Sequence, residues 1–290
     1  MKPQVLFTRA ARAHEKGQWA EAERLYKDTL KADPRHADAL HMLGFLAYQN
    51  GRNDIAADLV NRAIGIDPAR PAYHNTLGGA LLALGRVDEA IIVYRRAFTM
   101  LPGSIEVANN LGNALQVRGQ LAEAGQIYQA VADAAPDNGD VLYNLGYNLL
   151  LQGEAAAALT WLQKASAAKP NDAMILNTLA ALLQRMERPE EAVDTYKRAI
   201  ALAPDVAALH KNLGVTYHVA GRWAESEDCY RKAAALEPKD AGAYDGLGHA
   251  LHMQGRNREA VEAFEQALAL DPGNAQVEAR LAKTRATQDN

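Results

Sequence analysis

Hydrophobic residues recur with the period of a helix along almost the whole chain. In the segment IEVANNLGNALQV, residues 105–117, the positions Val107, Ala108, Leu111 and Leu115 fall on one face of a helix. A second stripe of the same helix is mostly polar and is turned away from that face. Short segments with glycine or proline separate such stretches, so the pattern predicts alternating helices and turns throughout.

The prolines show that these helices form a repeat of fixed length. Eight of the 11 prolines stand 34 residues apart: Pro34, Pro68, Pro102, Pro136, Pro170, Pro204, Pro238 and Pro272. Two series of glycines keep the same spacing, and one of them lies where the first helix of each unit ends, as a left-handed C-terminal cap requires. The predicted repeats span about residues 3–36, 37–70, 71–104, 105–138, 139–172, 173–206, 207–240 and 241–274.

The second helix of most units pairs a small residue with a large apolar residue four positions later. Ala90 with Tyr94 and Ala124 with Tyr128 are examples. A small residue lets two helices approach closely, and the large residue fills the space beside it. The pattern therefore predicts antiparallel helix pairs that share a core.

Together these features resemble the tetratricopeptide repeat (TPR): Leu-Gly in the first helix, alanine and then an aromatic residue in the second, and a closing proline. The resemblance implies an all-α fold, a right-handed α-α superhelix (solenoid) of eight TPR helix-turn-helix repeats and a C-terminal capping helix at residues 275–287. It implies a single solenoid domain over residues 1–290. Arg9-Ala10 replaces Leu-Gly in the first repeat, so that helix is expected to be a polar cap.

Composition and charge narrow the class of protein. Apolar residues make up 49% of the chain, which suffices for a core, and the net charge is −4 with no block of Lys or Arg. Nucleic-acid binding, which needs a basic surface, is not expected. There is no apolar core of a signal peptide and no apolar run near the roughly 20 residues of a membrane span. With Cys229 as the single cysteine, a cytoplasmic location without disulfides is expected.

No catalytic motif is present: the sequence has no Walker loop, dinucleotide fingerprint, nucleophile elbow or HExxH. We therefore expect no enzyme activity and no cofactor. Four residues leave a metal site as a minor alternative, namely His218, Asp245, His249 and His252. Their simpler interpretation is that they are polar residues of a binding groove. Trp19 and Trp223 take the same place in their repeats and are expected to pack.

The second stripe of the first helices is the candidate binding surface, because in TPR proteins that stripe lines the inner groove. Here it is rich in amides and aromatic residues, which mark binding surfaces more than ordinary solvated helix faces. The candidate groove residues are Phe45, Tyr48, Asn75, Asn109, Asn110, Asn113, Tyr143, Asn144, Tyr147, Asn177, Arg185, Lys211 and Asn212.

Asn110, Asn144 and Asn212 directly precede Leu-Gly in their repeats. This arrangement resembles the asparagine ladder in the TPR arm of O-linked N-acetylglucosamine transferases, whose amides grip an extended peptide backbone. A carboxamide both donates and accepts, so it pairs with a peptide group whatever the side chain. The alternative is that these asparagines are merely exposed polar residues. Met42, Thr76, Thr178 and Gly246 interrupt the series, and Asn75, Asn109 and Asn177 are candidates to substitute.

The predicted partner is an extended protein segment that is neutral to basic, because acidic residues outnumber Arg185 and Lys211 on the stripe. The leading hypothesis is a non-catalytic interaction scaffold, and an oligomer is possible. The alternative is a TPR arm or partner that recruits substrate for a protein glycosyltransferase-like enzyme. A chain that continues past Asn290 would favour the arm, and a chain that stops there would favour the free scaffold.

Overall fold

The computed structural model describes residues 2–287, which form seventeen α-helices and no strand within that range. The helices are α1 Pro3–Glu15, α2 Trp19–Ala32, α3 Ala37–Gln49, α4 Asn53–Ile66, α5 Pro71–Ala83, α6 Val87–Met100, α7 Ile105–Val117, α8 Leu121–Ala134, α9 Gly139–Leu151, α10 Ala155–Ala168, α11 Ala173–Arg185, α12 Pro189–Leu202, α13 Ala207–Val219, α14 Trp223–Leu236, α15 Ala241–Met253, α16 Asn257–Leu270 and α17 Ala275–Ala286. The predicted all-α class is confirmed, with two helices in each repeat and one more at the C-terminus.

The chain divides into two compact units, Met1–Gln152 and Gly153–Asn290. Within each unit, consecutive helices pack against one another, and the first helices of neighbouring repeats also touch. The series α3, α5, α7, α9 forms this second contact in the first unit, and α11, α13, α15, α17 forms it in the second. The single solenoid domain over residues 1–290 remains a prediction.

The first helix of most repeats ends just before a glycine. The backbone at that glycine adopts a left-handed conformation with positive φ, which glycine accommodates best. Gly119, for example, has φ of 80°, a conformation that a side chain disfavours. The sixth turn of this series is the exception, because Glu187 adopts φ of 58° there without being glycine. That residue carries a local strain of about 1 kcal/mol.

The glycine of the Leu-Gly pair is needed for close helix packing. A Cβ atom placed on Gly112 would lie 2.3 Å from Cζ of Tyr128, and one on Gly78 would lie 2.5 Å from Cε1 of Tyr94. Both tyrosines are almost fully buried. The large residue predicted in the second helix therefore packs against the glycine of the first helix within the same repeat.

Gly125 inside α8 has a packing reason that the sequence did not reveal. A Cβ atom there would lie 3.1 Å from Oδ1 of Asn148 on α9. Asn148 is fully buried, and its Oδ1 accepts a hydrogen bond of 2.7 Å from Nε2 of Gln152. A helical glycine lowers helix stability by about 1 kcal/mol, and here it leaves room for that buried amide.

Candidate functional site

Side chains on the first helices of neighbouring repeats are joined by hydrogen bonds between residue i and residue i+35. We call each of these bonds a rung. The first unit has four: Tyr73 Oη to Asp38 Oδ1 at 2.5 Å, His41 Nε2 to Thr76 Oγ1 at 2.9 Å, Asn110 Nδ2 to Asn75 Oδ1 at 2.9 Å, and Asn144 Nδ2 to Asn109 Oδ1 at 2.8 Å. The second unit has Asn212 Nδ2 to Asn177 Oδ1 at 3.0 Å and Arg280 Nη1 to Asp245 Oδ2 at 2.5 Å.

The rungs follow from the repeat length and from the packing of first helices. Equivalent positions recur every 34 residues, so a residue and the one after its equivalent face each other across adjacent helices. Asn75, Asn109 and Asn177, which were expected to substitute for missing members of the ladder, each take part in a rung. They are the acceptors of Asn110, Asn144 and Asn212, a pairing that the sequence analysis missed although the 35-residue spacing is visible in the sequence.

Each rung holds the carboxamides but leaves part of their hydrogen-bonding capacity. A carboxamide has two N–H donors and an oxygen with two lone pairs, and the rung uses one donor of Asn110 and one lone pair of Asn75. All six rung asparagines are half-buried. They are thus fixed side chains at the protein surface.

The rungs are interrupted in the second unit between α13 and α15. Lys211 and Gly246 occupy the two positions there, and Gly246 has no side chain to form a rung. Lys211 instead places Nζ 2.6 Å from Oδ2 of Asp240, just before α15. The ring of Tyr230 fills the space beside Gly246, where a Cβ atom would lie 2.3 Å from Cζ.

The other predicted groove residues have varied environments. In the first unit, Asn113 is exposed and accepts a hydrogen bond of 3.0 Å from the Tyr128 hydroxyl. The rings of Tyr143 and Tyr147 stack with centroids 5.9 Å apart. Phe45 lies near His14 and His41, and Tyr48 packs on Gly79. In the second unit, Arg185 is exposed at the end of α11.

One pocket of about 260 Å³ lies in the first unit where α3, α5 and α7 converge. We call it the α3–α7 pocket. Its walls are His41, Met42, Phe45, Pro71, Ala72, Asn75, Thr76, Leu101, Ser104, Glu106 and Val107. Two of the predicted groove residues, Phe45 and Asn75, thus come together with the acidic Glu106. Asn75 also donates through Nδ2 to Oε1 of Glu106 at 2.8 Å.

A second pocket of about 310 Å³ lies in the second unit and contains three of the four candidate metal ligands, together with Lys211, Asn212 and Arg280. The rings of His218 and His249 are 4.5 Å apart, and Asp245 is paired with Arg280. His252 bonds instead to Asn257, with Nδ1 2.9 Å from Oδ1. In the part of the chain that the structure describes, no group of three or more His, Cys, Asp or Glu is placed to hold a metal ion. The metal-site alternative has no geometric support there.

Burial keeps the histidines of both pockets neutral at pH 7. It lowers the pKa of His41 to about 4. Burial, with the neighbouring His218 and Arg280, lowers the pKa of His249 to about 4, and burial also lowers the pKa of His218. Burial raises the pKa of Cys229 to about 11, so its thiol is protonated and unreactive at pH 7.

Comparison with known families identifies the fold. A model described as the cilia and flagella-associated protein 70 C-terminal domain, a TPR model, matches residues 69–285, which is well over half of the chain. The chain belongs to this TPR family. A second model, described as tetratricopeptide repeat, matches residues 13–80 of this TPR protein. The predicted TPR identity is confirmed, whereas the likeness to transferase arms stays a prediction.

Several solved structures share the TPR fold. The APC/C hetero-tetramer Cut9–Hcn1 matches with a TM-score of 0.61 and 17% identity, and the match covers 97% of this chain but only 55% of that one. MamA matches at 0.54 and 26% identity, covering 59% and 93%. YrrB, described as a TPR protein with an unusual peptide-binding site, matches at 0.53 and 22% identity, covering 64% and 96%. No curated protein sequence matches the chain.

Among the described residues of this TPR protein, none of the helices combines the length and apolar character that a membrane crossing requires.

Proposed function

We propose that this TPR protein is a non-catalytic interaction scaffold that holds an extended segment of a partner protein along the first helices of its repeats. Membership of a TPR family supports the scaffold role, since such repeats present surfaces for other proteins. YrrB is described as having a peptide-binding site, and Cut9–Hcn1 is a complex of two kinds of chain. The peptide chemistry itself is argued from this chain's own residues.

The rungs are the observation that supports peptide binding. Within each unit they hold carboxamides on the first helices of neighbouring repeats, and each carboxamide keeps donors or lone pairs beyond the rung bond. Such groups pair with the N–H and C=O of an extended backbone without regard to its side chains. Because neighbouring repeats already fix them, they lose less conformational entropy on binding than mobile side chains do.

Exposed apolar residues on the same helices supply contact area for the partner's side chains. Val117 is 67% exposed at the end of α7, and Leu151 is 45% exposed at the equivalent position of α9. Tyr147 is 38% exposed and stacked on Tyr143. Neighbouring exposed apolar and aromatic residues are typical of an interaction surface.

Selection from a random library of 12-residue displayed peptides tests the proposal. We expect the wild-type chain to enrich a set of peptides, and Asn110→Ala/Asn144→Ala/Asn212→Ala to lose at least ten-fold in affinity for them. The control Asn61→Ala/Asn171→Ala changes exposed asparagines outside this face and should bind as wild type does. Equal binding by the triple variant would exclude the rung asparagines as peptide contacts.

A second variant separates binding from folding, because the triple alanine variant also loses three rungs at about 1 kcal/mol each. Asn109→Asp/Asn177→Asp keeps an oxygen that accepts the rung bond but removes the Nδ2 donors offered to a partner. We expect it to retain the circular dichroism and melting temperature of wild type while binding the selected peptides more weakly. Unchanged binding by this variant would mean that these donors do not contact the peptide.

A further inference from the structure

The α3–α7 pocket has the size of one side chain. Its volume of about 260 Å³ lies below the roughly 300 Å³ at which pockets for small molecules begin. Its walls come from the first helices of three consecutive repeats and from the segment between α6 and α7. A peptide lying along the first helices would pass over its mouth.

One side of the pocket is apolar. Met42 and Phe45 on α3 and Pro71 at the start of α5 contribute to it, and Leu101 contributes from the segment after α6. Leu101 is 49% exposed despite its size. This apolar wall favours the methylene or hydrocarbon part of an incoming side chain.

Among the described residues that line the pocket, Glu106 is the only one with a formal charge at pH 7. Glu106 is exposed, and Asn75 fixes its Oε1 by a hydrogen bond of 2.8 Å. Its Oε2 accepts no hydrogen bond from the described residues. Among those residues no lysine or arginine lines the pocket, and His41 is neutral because its pKa is lowered to about 4. The pocket thus combines an apolar wall with one oriented carboxylate.

The equivalent helices of the second unit, α11, α13 and α15, lack both the apolar wall and the carboxylate. The repeat pattern alone therefore does not produce these two features. Four repeats later, the positions of Phe45 and Glu106 are taken by Ala181 and Gly242, and that of Leu101 by Glu237. The combination of the apolar wall with the carboxylate therefore does not recur at the equivalent positions of α11, α13 and α15.

We propose that the α3–α7 pocket binds a lysine or arginine side chain of the partner segment, with the aliphatic stem against Phe45 and Leu101 and the cation at Glu106. This inference rests on the proposed function, which it extends by naming a side-chain subsite. Long basic side chains cover apolar surface with their methylene groups while their charged ends remain hydrated or paired. A half-exposed pair of this kind contributes chiefly to selectivity among peptides.

The peptide selection provides the first arm of the test. Peptides selected by wild type should carry lysine or arginine several-fold above the library frequency, and this excess should disappear with Glu106→Gln, which keeps an oxygen to accept from Asn75. Glu89→Gln, a change on α6 of the same unit, is the matched control and should keep the excess. If the selected peptides carry no excess of lysine or arginine, the subsite proposal is wrong, whereas the scaffold proposal is unaffected.

Direct binding of small probes provides the second arm, and it does not depend on any peptide being selected. Nα-acetyl-lysine methylamide should shift the backbone NMR signals of residues 104–107 saturably. Nα-acetyl-norleucine methylamide, which has the stem without the cation, should bind at least ten-fold more weakly, and Glu106→Gln should remove that difference. Equal binding of the two probes would overturn the subsite. Binding of the lysine probe with an empty peptide selection would support the pocket and count against the scaffold proposal.

Discussion

Repeats one and two contain the same cluster of rings as repeats seven and eight, and one residue distinguishes the two clusters. Near the N-terminus, His14 meets Trp19 edge-on with centroids 5.0 Å apart and an angle of 89°. Six repeats later, His218 meets Trp223 at 5.1 Å and 88°. The third ring is Phe45 in the first cluster and His249 in the second, at equivalent positions.

This single difference gives two similarly packed regions different chemistry. His14 lies 6.1 Å from the uncharged ring of Phe45, whereas His218 lies 4.5 Å from a second imidazole that takes up a proton in acid. His14, His218 and His249 all have a buried Nδ1 without a hydrogen-bond partner among the described residues. The position of these residues in the repeat thus determines how the rings pack, whereas a single side chain determines how the cluster responds to pH.

Replacing the tryptophan of each cluster should give the largest effect, a loss of unfolding free energy that differs between the two clusters. Trp19 is 51% exposed, whereas Trp223 is half-buried and also meets the edge of His249 at 6.3 Å. Trp223→Ala should therefore lower the free energy of unfolding of its unit by about 2 kcal/mol, and Trp19→Ala by about 1 kcal/mol, both below the figure for a fully buried tryptophan. Native-state hydrogen exchange of α13–α16 and of α1–α3 measures the two separately. Equal losses would show that the third ring adds nothing.

His249→Phe converts the second cluster into the first and should make its unit less sensitive to acid. The pKa of His249 is about 4 in the folded protein, below the value of about 6.5 for an unfolded chain. The unfolded chain therefore takes up the proton first, so stability is full above about pH 7 and is lost as the pH falls from about 6.5 towards 4. Between pH 7 and pH 5 the melting temperature of the variant should therefore fall by roughly 3 °C less than that of wild type.

Phe45→His is the reciprocal control, since it places two imidazoles in the N-terminal cluster. It should add an acid-dependent loss of stability to the first unit, detected as a larger fall in the hydrogen-exchange protection factors of α1–α3 from pH 7 to pH 5 than in wild type. If neither substitution changes the pH dependence, the two-imidazole contact is not the source of acid sensitivity.

Arg280→Gln should give the smallest effect. The Arg280 cation lowers the pKa of both His218 and His249, so its removal should raise both pKa values slightly. NMR titration of the imidazole signals measures this change. Arg285→Gln on the same helix is the matched control, because Arg285 pairs with Glu265 and does not act on either histidine. A fall in either pKa would contradict the proposed direction.

The spacing of prolines and glycines predicted the fold because those residues act locally. Proline stops a helix and glycine permits the left-handed turn, so each marks a boundary wherever it stands. Ring exposure was less predictable: Trp19 was expected to pack, and it does meet the ring of His14, yet half of it is exposed. The neighbours of a side chain come from other repeats, and the pattern of one repeat does not specify them.

The sequence predicted which asparagines belong to the candidate site but not the hydrogen bonds that join them. Asn110, Asn144 and Asn212 were identified from their place before Leu-Gly, but their partners lie one repeat earlier. A hydrogen bond depends on the separation and tilt of two helices to within a few tenths of an ångström. The α3–α7 pocket has the same origin, since it exists only where three helices and Leu101 meet.

The rungs also make the number of repeats adjustable. Deleting residues 105–138 would remove Asn109 and Asn110 together and bring Asn144 into the place opposite Asn75, so that an amide again meets an amide. Asp140 would arrive where Glu106 had been. A duplication of the same unit would likewise add a rung without changing any residue. The repeats that form this surface are thus interchangeable, so recombination can lengthen or shorten the surface without any point mutation.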